Sequence, residues 1–104
     1  MKIAAISAQV HATLNNRSVG IFHAARLIKA HSMEDARTKA YVFAEVLLAQ
    51  LIIRHSLDGA CEFTKTTHVF TDQGMQFNEC ITHDGTGYEL ACRALNASTY
   101  TDPV

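Results

Sequence analysis

The segment from Met33 to His55 constrains this chain more than any other, because as a helix it is apolar on more than one side. Ser32-Met33-Glu34-Asp35 marks its start. Ser32 can cap the free N–H groups, Asp35 can close a capping box, and Glu34 and Asp35 suit the positive end of the dipole. Arg54 and His55 suit the negative end, and Leu57-Asp58-Gly59 breaks the helix. At about 100° per residue, Ala40, Phe43, Ala44, Leu47, Leu48, Leu51 and Ile52 share one broad face, with Tyr41 at its margin. Val42, Val46, Ala49 and Ile53 form a second stripe with the rhythm of a coiled-coil seam, flanked by Glu45 on one side and by Lys39 and Gln50 on the other. Two apolar sides need two covers. Either the helix is sandwiched between an N-terminal hairpin and a C-terminal sheet, or the second stripe meets another chain.

The flanking sequence supplies the sheet. Ala4, Ile6, Ala8, Val10, Ala12 and Leu14 alternate with smaller or polar residues, the period of a half-buried strand. Asn15-Asn16 supplies a turn, since Asn tolerates left-handed backbone angles. Ser18 to Ala30 reads as the returning strand, with Val19, Ile21, Ala25 and Leu27 on one face. A short helix is the rival, because Ala24-Ala25-Arg26-Leu27 is good helix material. Beyond Gly59, Glu62–Thr71 and Met75–His83 form a hairpin about Asp72-Gln73-Gly74. Asp84-Gly85-Thr86-Gly87 reads as another turn, Tyr88–Leu95 as a further strand, and residues 96–104 as a frayed tail. The expectation is one α+β domain over residues 1–104: ββαβββ, one long apolar helix on antiparallel sheet.

Composition narrows the function. Of 104 residues, 48% are hydrophobic and 18% charged, which argues against disorder. The formal net charge is −1 and the nine Lys and Arg are scattered, so no nucleic-acid partner is expected. Three cysteines without a secretory signal point to reduced thiols in a cytoplasmic protein. The longest apolar stretch, Ala40 to Ile53, contains Glu45 and Gln50 and is too short and polar to span a bilayer.

No constellation rises to a chemical site. Cys80 and His83 have metal-ligand spacing, and Cys61, His68 and Cys92 lie in the same predicted sheet. Strand parity divides them, putting Cys61, His83 and Cys92 inward with Phe63, Val69, Met75, Phe77, Ile81, Tyr88 and Leu90, and Cys80 and His68 outward. No metal and no cofactor is expected, and the cysteines read as small buried hydrophobes. None of them starts the predicted helix, where a thiolate would be stabilised. Gly85-Thr86-Gly87 lacks the lysine and the longer loop of a phosphate cradle.

The remaining feature is surface. The outward sheet face should present Thr64, Thr66 and His68 on one strand and Gln76, Asn78, Cys80 and Thr82 on the next, with Glu89 and Arg93 from the third. It is polar and nearly uncharged, as interface centres tend to be. The expectation is a small, non-enzymatic protein that binds a protein partner or its own copy. Val42, Val46, Ala49, Ile53, Thr64, Thr66, His68, Asn78 and Thr82 are its candidate contact residues. In size and general character, though in no motif, it resembles accessory proteins of phages and mobile elements, including anti-CRISPR inhibitors that dock on a larger macromolecule. The alternative is a ligand-binding or enzymatic domain, with a pocket between helix and sheet or at a homodimer interface, drawing on His83, Cys92, Glu45 and Tyr88.

Overall fold

The computed structural model describes residues 2–98. The element order is β1 (Lys2–Leu14), β2 (Arg17–Ala30), α1 (Met33–Arg54), β3 (Ala60–Thr71), β4 (Gly74–Thr86) and α2 (Gly87–Ser98). The four strands form one antiparallel sheet in the order β2-β1-β3-β4. The class is α+β as expected. The last element is not a strand, however, so the order is ββαββα.

Local chemistry accounts for the elements. Asn15 and Asn16 both take left-handed angles, φ 52° and 63°, as a two-residue hairpin turn of matching twist requires. Ser18 to Ala30 is strand throughout, which removes the short-helix rival. Ser32 Oγ accepts from the Asp35 N–H at 3.1 Å, and Asp35 Oδ2 reaches back to the His31 N–H at 2.9 Å. The capping residues are those expected, with the return bond one residue earlier than Ser32. Gly74 takes φ 96° at the β3–β4 turn.

The correction at the C-terminus has a plain cause. Thr86 does not lead into another strand. Its Oγ1 accepts from the Glu89 N–H at 3.2 Å, capping α2. The Gly87 and Tyr88 N–H groups donate to the carbonyls of Gly59 and Asp58 at 2.9 and 3.2 Å, so the start of α2 is pinned to the loop after α1. A Cβ on Gly87 would lie 1.7 Å from the Leu57 carbonyl oxygen, so only glycine fits. The expected frayed tail is helical as far as Ser98, and residues 99–104 lie outside the described residues.

Both helices lie on one side of the sheet. α1 packs across β1, β2 and β3, and α2 packs chiefly on α1, with a lighter contact to β4. The hairpins therefore share one sheet instead of sandwiching the helix, and α2 is the second cover for α1. The core joins Ala8, Val10, Ala12 and Phe63 of the sheet to Ala44, Leu48, Leu51 and Ile52 of α1 and Leu90 of α2. A second cluster joins Ile6, Ile28 and Val69 to Ala36 and Ala40.

The faces of β1 and β3 follow the expected parity, but that of β2 does not. Phe22, Ala24, Ile28 and Ala30 of β2 turn toward the helices. Ile21, Ala25 and Leu27 lie on the other face, Leu27 at 71% exposure. A register shift at Ala12/Thr13 adds one residue to β2 and turns Val19 alone of the expected four toward the core. Met75, expected inward, is exposed beside the turn, where the β3–β4 register also shifts.

Candidate docking surface and a buried charge cluster

The sheet's second face carries no helix among the described residues. It presents Ile3, Ala5, Ser7, Gln9, His11 and Thr13 from β1 and Ile21, His23, Ala25, Leu27 and Lys29 from β2. From β3 and β4 come Glu62, Thr64, Thr66, His68, Phe70, Asn78, Cys80, Thr82 and Asp84. The five sheet residues singled out from sequence, Thr64, Thr66, His68, Asn78 and Thr82, thus share one surface. Thr64 and Thr82 are cross-strand partners whose hydroxyls meet at 3.3 Å. Thr66 donates to Cys80 Sγ at 3.5 Å. His68 lies opposite Asn78. The sequence reading missed the β1–β2 half of this face. There the hydrogen bonds continue, with Ser7 Oγ to His23 Nε2 at 3.3 Å and His11 Nε2 to Ser18 Oγ at 2.9 Å.

The face is apolar at one end. Ile3 is 67% exposed, Leu27 still more, and Phe70 and Met75 stand nearby on β3 and β4. Its middle contains no Lys, Arg, Asp or Glu. The charges sit at opposite ends: Lys29 beside Ile3, and Glu62 beside Thr13 with Asp84 across from it. Large exposed apolar side chains on one sheet face, with charge kept to the margins, match the composition of a protein contact.

The four helix residues singled out from sequence fare differently from one another. Ala49 is buried, Val42 and Val46 are half-buried, and Ile53 is 70% exposed. They do not make one continuous exposed stripe, because α2 lies along α1.

Beneath α2 lies a group that sequence spacing could not assemble. Glu45 is fully buried on α1. Its carboxylate accepts from the Lys65 ammonium of β3 and from Arg93 of α2, whose Nε and Nη2 reach Oε2 and Oε1 at 3.3 and 3.2 Å. Lys65 is itself buried, and its Nζ lies 4.4 Å from the centre of the Tyr41 ring. Burial acts to raise the Glu45 carboxyl, but the hydrogen bonds and charges of Lys65 and Arg93 outweigh it and hold the group below the ordinary carboxylate range. Burial draws the Lys65 ammonium below its ordinary value, against the pull of Glu45. His83 of β4 faces the same interior. Its buried Nε2 has no hydrogen-bond partner among the described residues, and burial, then Lys65 and Arg93, lower its pKa. An open groove of about 520 Å³ between α1 and β4 has Tyr41 and Glu79 in its wall, at the margin of this cluster.

The cluster unites Glu45 and His83, two of the four residues named for a chemical role. Tyr88 is exposed, and Cys92, expected inward, is exposed on α2. Cys80 is exposed, on the outward side where strand parity put it, and Cys61 is half-buried, so none of the three is a fully buried thiol. Arg93, expected on the outer sheet face, instead reaches the interior from a helix. Among the described residues no group of three or more His, Cys, Asp or Glu could hold a metal ion. Among the described residues no helix is long and apolar enough to cross a membrane. The chain matches no known protein family, no curated protein and no solved structure.

Proposed function

We propose that this chain is a non-enzymatic protein-binding protein whose working surface is the helix-free face of its sheet. One observation carries the reading: among the described residues four long strands are covered by helices on one side only, and the other side carries exposed Ile3, Ile21, Leu27, Phe70 and Met75 around a middle without Lys, Arg, Asp or Glu. An antiparallel sheet commonly keeps one face in water, but such faces alternate cleanly to polar residues. Here β2 departs from that alternation, with Ile21 and Leu27 outward while Phe22 and Ile28 fill the inward face. An inhibitor that acts by sitting on a larger macromolecule, in the manner of anti-CRISPR proteins, would use such a surface.

The test is a tagged capture from the natural host, run beside a Leu27→Glu variant. Leu27 is mostly in water, so the change should alter folding stability by only about 0.5 kcal/mol or less. Stoichiometric capture of a protein partner that the variant loses, with unchanged circular dichroism, is the expected result. Equal capture by both forms would assign the contact to another surface.

A second reading is supported by the Glu45–Lys65–Arg93–His83 cluster. A buried lysine with a lowered pKa beside an unpartnered imidazole suits a ligand or reaction site. The arrangement also serves as an internal tether, since Arg93 and Lys65 both end on Glu45 and so join α2 and β3 to α1. The tether explains every contact in the group except His83 Nε2, which places this reading second.

A further inference from the structure

Resting on the reading of the bare face as a protein-docking surface, we infer that its occupant is a second copy of this chain, packed sheet to sheet about a two-fold axis. Area is the first argument. Strands of 12 to 14 residues, rising about 3.3 Å each and spaced about 4.8 Å apart, present a face of about 800 Å². That is about what each partner contributes to a stable interface of standard size.

Self-compatibility is the second argument. In an isologous contact every group meets the partner's copy of the same surface. A charged centre would repel itself, and this centre has no Lys, Arg, Asp or Glu. The charges at the two ends have opposite sign and lie far enough apart to answer one another across a two-fold axis.

The positions of the end charges agree with such a contact. Lys29 is paired with Ile3 and Glu62 with Thr13, so they are separated by ten residues along β1 and two strand spacings across it. Those offsets are about 33 Å and about 10 Å. The line from Lys29 to Glu62 therefore tilts about 16° from the strands. A two-fold axis in the interface, perpendicular to that line, sets each Lys29 over the partner's Glu62. It also crosses the two sets of strands at twice the tilt, about 30°, the angle at which aligned sheets pack. The axis passes the outward side chains of Ser7 and Gln9, which are short or neutral and leave room for close approach.

The experiment measures the mass of the full chain in solution by sedimentation from about 1 to 100 µM, a range that spans ordinary dimer affinities. The expected species has twice the 11.4 kDa chain mass. Lys29→Glu should weaken it about tenfold or more, because like charges then face one another. The double exchange Lys29→Glu with Glu62→Lys should restore it, since each new charge again meets its opposite. Leu27→Glu should give a folded monomer. A monomer throughout the range overturns the inference, as does a dimer indifferent to all three changes. A monomer that still captures a foreign protein through Leu27 leaves the docking reading in place, whereas a monomer that captures nothing removes both.

Discussion

Glu45 sits where a carboxylate would ordinarily be excluded. Its burial is tolerated because both oxygens are occupied by cationic donors from two other elements. Removing it strands a buried ammonium, so Glu45→Ala should destabilise the fold by about 3–5 kcal/mol, read from denaturant midpoints. The pH dependence has two limbs of the same sign. Glu45 is held below its ordinary value of 4.5, so its stabilisation is present above that value and is lost as pH falls through the lower folded value. His83 is held below its ordinary 6.5, so its contribution is complete above that value and is likewise lost as pH falls through the folded value. Urea midpoints measured from pH 8 to pH 3 should decline in both windows. A His83→Gln variant should lack the upper decline only, and an upper decline that persists would place its origin elsewhere. The sequence offered Glu45 and His83 as candidates for chemistry but not their meeting with Lys65 and Arg93. Glu45, Lys65, His83 and Arg93 follow no spacing rule, and only the topology brings them together. The one available signal was a charged residue amid the helix's apolar stripes, which demands buried partners once that helix is covered on two sides.

α1 was readable from end to end, because its cap, its acidic first turn and its apolar period agree. The reading failed at α2, where two glycines in Asp84-Gly85-Thr86-Gly87 suggested a turn. Thr86 and Glu89 stand at capping-box spacing, and Leu90, Ala91 and Ala94 recur at helical intervals, so a helix signal was present. Gly87 serves close approach to Leu57, not a turn. Two variants separate these roles by thermal melts and far-ultraviolet circular dichroism. Thr86→Ala should cost about 1 kcal/mol, the value of a lost cap. Gly87→Ala should cost clearly more and lower the helical signal, because a Cβ there would meet backbone that cannot move aside. Equal effects would mean that α2 docks without the close contact. β2 was assigned the wrong covered face. Both faces of β2 carry bulky apolar residues, Ile21 and Leu27 on one and Phe22 and Ile28 on the other, and an assignment that follows Val19 across the register shift points the wrong pair inward.

At the scale of the molecule, two ββα units lie about the central β1–β3 pair, with β2 and β4 as the outer strands. The order of elements repeats, although the sequence shows no repeat. Both helices fall on one side, and the molecule is only 18 Å thick along its shortest axis, one sheet and one helix layer. The described residues make two layers, and exposed Ile21 and Leu27 of β2 lie on the side without helices. A second copy would cover that side, as a sandwich of two sheets between two helical layers. This coverage also bears on the cysteines: Cys80 lies on the bare face, and Cys92 is exposed on α2, away from it.

The most direct test of the bare face as the contact surface is therefore the alkylation rate of Cys80 relative to Cys92 in one sample, read by mass spectrometry as protein concentration is raised through the association range. The expected result is that Cys80 slows several-fold while Cys92 keeps its rate. If the protein associates and Cys80 remains as reactive as in the dilute monomer, the contact lies on another surface and the account of this face is wrong.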